Sequence, residues 1–91
     1  MLKLDRPRLR VDFNETIEKD LVLISRDDEK MDSSGGLVHL ADGLRVYIYM
    51  EDTDDSGSPR YLLATGTVEK NTFGSWSAGV RWCCRIDHWE S

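Results

Sequence analysis

Alternating apolar and polar side chains predict that most of the chain forms β-strands. The clearest case is residues 44–50, where apolar positions alternate with polar ones that include Tyr47 and Tyr49. A period of two is typical of a strand with one buried face. The same pattern predicts a strand within residues 9–13 and a last strand at residues 79–86.

Two further segments predict strands with special surroundings. Residues 21–25 form a short continuous apolar run, which is typical of a strand covered on both faces or placed in a barrel wall. Residues 61–68 carry Ala64 and Gly66 on the predicted apolar side, where small residues let a sheet bend or another strand approach closely. Pro59 is expected to mark the point at which strand hydrogen bonding resumes.

The segments that connect the predicted strands are polar and contain few sequence signals for a helix. Residues 26–36 are charged and end on two glycines, which predicts a long loop, and residues 51–59 predict an acidic hairpin tip. Residues 14–20 are long enough for one helical turn only. The sequence therefore predicts an all-β fold, a small antiparallel barrel or sandwich of five or six strands with at most one short helical turn.

The order of these segments over residues 20–87 resembles the Src-homology-3-like small barrel. Peptide-binding members of that group carry aromatic residues on the first long loop, and residues 26–36 contain none, so the resemblance implies a fold and not proline-peptide binding. Residues 43–52, 63–71 and 80–87 also resemble segments of small uncharacterised bacterial proteins, a likeness that implies no activity.

Composition and charge narrow the class of protein. With 91 residues, 40% hydrophobic and 32% charged, the chain is expected to form a single domain over residues 1–91. The net charge of −5 disfavours a duplex nucleic-acid binder. Residues 1–10 carry a local charge of +3, which predicts a solvated, frayed basic terminus at residues 1–7 or, alternatively, a nucleic-acid-binding arm. The basic terminus would also suit a segment that folds back onto acidic loops of its own chain or of a second subunit.

Adjacent cysteines cannot cross-link distant parts of the fold. In a strand, Cys83 and Cys84 would point to opposite faces of the sheet. Cys84 shares its phase with Trp82, which is expected in the core beside Ile48 and Val80, and Cys83 is then expected to face solvent. Free thiols, together with a terminus that lacks a secretory signal, predict a cytoplasmic protein. A vicinal disulfide switch is the alternative.

No candidate catalytic or metal-binding motif in the sequence has the residue spacing that its chemistry requires. Residues 52–57 match the first half of a calcium loop, but the twelfth position, which needs a bidentate glutamate, is Leu63. His39 and His88 lack the ligand spacing of a zinc site. His88 follows the cysteines by four or five residues, but on an extended segment it lies too far along to reach back as a general base. We therefore expect no cofactor, no metal and no enzymatic activity.

Aromatic and arginine side chains define the predicted binding residues. The candidates are Tyr47, Tyr49, Trp76, Arg81, Arg85 and Trp89. Rings and guanidinium groups of this kind are typical of protein interfaces, so the sequence favours a non-catalytic protein-binding or self-assembly module that forms a homodimer or binds another protein, without a membrane.

Three alternatives stay open at this level. A single-stranded nucleic-acid-binding barrel would use the same tyrosines and arginines together with Arg6, Arg8 and Arg10. A small enzyme or enzyme subunit would need a deep polar pocket around a histidine. Finally, the tyrosines and arginines would also suit an ordinary outer sheet face with cross-strand pairs.

Overall fold

The fold is built from strands alone in the part of the chain that the computed structural model describes, residues 4–72 and 79–90. The strands are β1 (Leu9–Arg10), β2 (Thr16–Glu18), β3 (Leu21–Ser25), β4 (Glu29–Met31), β5 (Leu37–His39), β6 (Arg45–Thr53), β7 (Pro59–Lys70) and β8 (Trp82–Trp89). No helix occurs in these residues, and the predicted all-β class is confirmed. Pro59 opens β7, as expected for a residue that cannot donate to the ladder.

Six strands form one sheet in the order β1-β6-β7-β8-β3-β2, while β4 and β5 form a separate hairpin. Every pairing is antiparallel except that of β1, which runs parallel to β6 with Leu9 opposite Ile48. The sheet is therefore mixed, and the prediction of a purely antiparallel one is wrong. The parallel pair arises because the chain returns alongside β1 only after passing through β2 to β5.

The main sheet has to curl because its two edge strands follow one another in sequence. Only five residues separate the end of β1 at Arg10 from the start of β2 at Thr16. Such a segment spans at most about 21 Å. In a flat six-stranded sheet, the edge strands would lie about 24 Å apart. The sheet accordingly curls into a half-barrel that encloses the core.

The main core fills the inner face of the curled sheet. Its buried members are Leu9, Val11, Val22, Ile24, Leu40, Val46, Ile48, Ala64, Val68, Cys84 and Ile86. The alternation predicted for β6 is confirmed, since Val46 and Ile48 are buried and Arg45 and Tyr47 are exposed.

A second apolar cluster covers the outer face of β3. Leu21, Leu23 and Cys83 are buried there, with Ile17 and Val80 packed against them. The apolar run of β3 is therefore covered on both faces, as its composition predicts. The prediction that Cys83 faces solvent is wrong. Because β8 pairs with β3, Cys83 lies opposite Leu23 and is buried in the same outer cluster.

The last strand begins later than its alternation predicts. β8 starts at Trp82 rather than at residue 79, and Val80 precedes it and joins the outer cluster. Trp82 is only partly buried against the main core, because its indole Nε1 donates a hydrogen bond of 2.9 Å to Asp28 Oδ1. The prediction of a fully buried Trp82 beside Val80 is wrong.

Gly66 lies where β7 and β8 approach closely. A Cβ at this position would lie 2.5 Å from Cys84 Sγ and would collide with the carbonyl oxygen of Arg85. The ladder also changes register between Thr65 and Gly66, which bends the sheet. Both roles predicted for the small residues of this strand, close approach and bending, are present at Gly66.

Two loops repeat the same aspartate turn. Asp32 in D-S-S-G-G and Asp54 in D-D-S-G-S each accept hydrogen bonds from the backbone N–H groups two and four residues later, at 2.9 and 3.0 Å in both turns. Gly35 and Gly57 supply the positive φ that the turn needs. One turn joins β4 to β5, so the predicted long loop at residues 26–36 contains a strand, and the other closes the β6–β7 hairpin.

Candidate binding face

Three tyrosines share one patch on the outer face of the β6–β7 ladder. Tyr49 lies opposite Leu63, two residues from Tyr61 on the same side of the ladder, and the two tyrosine rings meet edge to face with centroids 5.6 Å apart. Tyr47 lies on the same face and is 42% exposed. We refer to Tyr47, Tyr49 and Tyr61 as the tyrosine face.

The N-terminal segment packs against the tyrosine face. The Arg6 guanidinium lies 4.4 Å from the centroid of the Tyr47 ring, within the range of a cation–π contact. A groove of about 470 Å³ lies between this segment, the β4–β5 turn and two of the tyrosines. It is lined by Leu4, Arg6, Pro7, Ser33, Ser34, Tyr49 and Tyr61. The described part of the terminus therefore helps to form the outer surface of the sheet.

Arg8 is the charged centre of this region and is 1% exposed. Its guanidinium donates to both carboxylate oxygens of Asp5 at 2.9 and 3.1 Å and to both of Glu90 at 3.0 and 3.2 Å. It also donates to the carbonyl oxygens of Ile48 and Ala64, each at 3.2 Å. One side chain thus ties the two ends of the chain to the centre of the β6–β7 ladder.

The burial of Arg8 changes the interpretation of the basic terminus. Among the alternatives for this terminus, a solvated Arg8 is wrong, because the side chain is buried and contacts carboxylates of its own chain. Two carboxylates and two backbone carbonyls satisfy its donors, and Tyr47 covers it at 5.6 Å from the guanidinium to the ring centroid. Burying an arginine is costly unless its charge and donors are all paired, and here they are.

Acid is expected to destabilise the fold through the two carboxylates that hold Arg8. The hydrogen bond from Arg8 lowers the pKa of Asp5 from its ordinary 3.8 to about 2, and the same side chain lowers the pKa of Glu90. Both groups bind protons less readily when folded, so their contribution is complete above their ordinary pKa values and is lost as the pH falls towards 2. Thermal melts between pH 6 and pH 2 measure this loss.

The matched variant for this pH prediction is the double substitution Asp5→Asn, Glu90→Gln. It should melt at a lower temperature than the parent at pH 6 and should lose less stability on acidification. An equal acid-induced drop in both proteins would show that other carboxylates control the transition.

The two predicted arginines of the last strand region are neutralised by carboxylates. Arg81 donates to both oxygens of Asp28 at 3.0 Å. Arg85 donates to Glu69 at 3.1 and 3.3 Å and lies 3.5 Å from Glu18. These contacts lie on the sheet surface, where exposed ion pairs contribute little to stability but reduce the charge offered to an anionic partner.

Trp89 lies apart from the tyrosine face. It is the last residue of β8, rather than beyond the strand as its position in the sequence suggests, and it pairs with the core residue Ala64. Its ring meets Phe13 edge to face at 4.9 Å, and its indole nitrogen lies 3.4 Å from Asp20 Oδ1. The side chain nevertheless keeps 48% of its surface exposed. The predicted binding residue Trp76 lies outside the described residues.

The structure therefore brings together only some of the predicted binding residues. Tyr47 and Tyr49 are neighbours, and Tyr61 and Arg6 lie beside them. Trp89 lies elsewhere, at the end of β8 opposite Ala64. Asp5 and Glu90, which hold the region in place, were not singled out by the sequence. They are 85 residues apart, and no local pattern links them.

The cysteines are poor nucleophiles in this setting. Burial raises the pKa of Cys83 to about 11 and that of Cys84 to about 12, so both thiols are protonated at neutral pH. His39 instead contacts Glu29, with Nδ1 3.0 Å from Oε2 on the exposed side of the β4–β5 hairpin.

The described residues contain neither a cluster of metal ligands nor a helix that could span a membrane. Among residues 4–72 and 79–90, no three His, Cys, Asp or Glu side chains are grouped so as to hold a metal ion. No helix in that part of the chain has the length and apolar character needed to cross a membrane. Comparison of the chain with protein-family models, curated proteins and solved structures finds no match.

Proposed function

We propose that this chain is a non-catalytic protein-binding or self-assembly module. The observation that carries the proposal is the exposure of large apolar side chains on so small a domain. Met31 is 64% exposed, Leu37 55%, Trp89 48% and Tyr47 42%. Exposed aromatic and long apolar side chains are characteristic of protein interfaces, where they supply contact area at low entropic cost.

The electrostatics favour a protein over a nucleic acid as the partner. Arg8 is buried, Arg10 is paired with Glu51 at 3.2 Å, and Arg81 and Arg85 are held by carboxylates. A phosphate backbone would have to displace these carboxylates before it could use the arginines. The net charge of −5 opposes the approach of a polyanion as well.

The compartment proposed for this module is the cytoplasm. Cys83 and Cys84 are both free and buried, which suits an environment that keeps thiols reduced. The Src-homology-3-like arrangement proposed from the sequence is compatible with the curled all-strand fold, and it adds no ligand to the proposal.

Truncating Trp89 is expected to weaken association. If Trp89 is a central anchor, Trp89→Ala should cost at least about 2 kcal/mol of association, or about thirtyfold in the dissociation constant. Sedimentation velocity over a concentration series measures this for a second copy. Trp89 also contacts Phe13 and lies 3.4 Å from Asp20 Oδ1, so the melting temperature of Trp89→Ala is measured alongside to separate lost stability from lost association.

Two controls make the association experiment decisive. Met31→Ala removes an exposed apolar side chain on the β4–β5 hairpin, and an equal effect there would assign the interface to the hairpin. Association through apolar surfaces should change little between low and high salt, whereas phosphate contacts weaken steeply. A parent that stays monomeric at its highest soluble concentration, with unchanged behaviour in Trp89→Ala, would contradict self-assembly.

A further inference from the structure

A small cleft that shares no lining residue with the groove beside the tyrosine face lies between the turn after β1 and the ends of β3 and β4. Its volume is about 250 Å³. The charged residues that line it are Arg10, Asp12, Glu15, Arg26 and Lys30. Pockets for drug-sized ligands are larger, typically about 300–1,000 Å³, so this cleft suits a small ion or a small charged group.

Lys30 is the central group of the cleft. Its side chain is half-buried, and Nζ donates a hydrogen bond of 2.8 Å to the carbonyl oxygen of Ile24. Within the described ranges, no carboxylate oxygen lies within 4.0 Å of this amine. Burial, with a smaller contribution from Arg10, lowers the pKa of Lys30. An ammonium group with only a neutral acceptor has donors left for an anion.

The carboxylates nearest to the cleft do not neutralise Lys30. One carboxylate oxygen of Asp12, Oδ1, accepts a hydrogen bond of 2.9 Å from the backbone N–H of Asn14 in the same loop. Arg10 is paired outside the cleft with Glu51. Glu15 forms no ion pair within the described residues and is the carboxylate most able to compete with an incoming anion.

We propose that this cleft binds a small oxyanion of the phosphate type, with Lys30 and Arg26 as its cationic ligands. Lys30 lines the cleft, its half-buried ammonium is held by the carbonyl oxygen of Ile24, and an ionic hydrogen bond at a partly buried site is stronger than in water. Arg26 is exposed and adds a planar donor suited to phosphate oxygens. This site is independent of the proposed protein-binding surface.

The test is a titration of isotope-labelled protein with inorganic phosphate, followed by NMR chemical shifts at constant ionic strength set with chloride. Amide signals around β3 and β4 should move in a saturable way with phosphate and not with chloride. Lys30→Met and Arg26→Gln should each weaken binding about tenfold or more. Glu15→Gln should tighten binding, because it removes the competing carboxylate.

Lys19→Met is the matched control, since Lys19 is exposed and does not line the cleft. Its phosphate affinity should equal that of the parent. A small phosphate monoester titrated in parallel distinguishes a free phosphate ion from a phosphate-bearing metabolite by which of the two binds more tightly. If Lys30→Met does not fold, the exposed Arg26→Gln still decides the outcome.

The absence of saturable shifts with both phosphate compounds would overturn the proposal. Binding that survives in both Lys30→Met and Arg26→Gln would overturn it equally, since the anion would then sit elsewhere.

Discussion

Replacing Arg8 by alanine is expected to lower the free energy of unfolding by about 3–5 kcal/mol, because it removes the buried guanidinium that joins two carboxylates to two backbone carbonyls. Asp5 and Glu90 would lose the charge that holds them, and the carbonyl oxygens of Ile48 and Ala64 would lose a donor. For a domain of this size, the melting temperature should fall by at least about 12 °C. Chemical denaturation and thermal melts measure both quantities.

Arg10→Ala is the matched control for Arg8→Ala. Arg10 is two residues away, is exposed, and forms one ion pair with the equally exposed Glu51. Such a pair contributes between about 0 and 1 kcal/mol. Arg8→Lys should behave much like Arg8→Ala, since a single ammonium cannot bind two carboxylates and two carbonyls in the same planar arrangement. Equal stability of Arg8→Ala and Arg10→Ala would contradict the structural role of Arg8.

Gly66→Ala is expected to cost about 2–3 kcal/mol, the upper part of the range for an overpacked core. The added methyl group would meet the backbone carbonyl of Arg85 and lie 2.5 Å from Cys84 Sγ. Because the carbonyl belongs to the neighbouring strand, β7 and β8 would have to separate. A rotamer change cannot relieve the clash, and combining Gly66→Ala with Cys84→Ala should restore only part of the stability.

Gly79→Ala provides the comparison for Gly66→Ala. A Cβ at Gly79 meets no atom within 4 Å, and the residue lies outside the strands, so its substitution should change stability by less than about 0.5 kcal/mol. Denaturant titrations of the two variants side by side measure the difference. A Gly66→Ala protein as stable as Gly79→Ala would mean that β7 and β8 do not approach closely at this point.

The two predictions concern the two neighbours of strand β7. Gly66 permits the close approach of β8 to β7, and Arg8, which immediately precedes β1, donates to the carbonyl oxygens of Ile48 on β6 and Ala64 on β7. The tyrosine face is displayed on the β6–β7 ladder. Its rigidity therefore depends on residues outside the face, and a variant of Arg8 is expected to alter binding through stability rather than through direct contact.

Local sequence pattern by itself determined the strands and much of their inner face. The alternation around Val46 and Ile48, the double cover of β3 and the small residues at Ala64 and Gly66 all follow from side-chain period and size. The aspartate turns at Asp32 and Asp54 also follow from local sequence, since each has an aspartate followed by a serine two residues later and a glycine three residues later. These features are local, because each depends on residues close together in the chain.

The tertiary structure alone decided which polar and sulfur-containing side chains are buried. Cys83 is covered because β8 pairs with β3, and no sequence pattern states that pairing. Arg8 is buried because Asp5, Glu90 and two backbone carbonyls converge on it, from positions up to 82 residues away. Hydrophobic periodicity reports the face on which a residue lies, whereas burial of a charge depends on partners that only the folded chain brings within hydrogen-bonding distance.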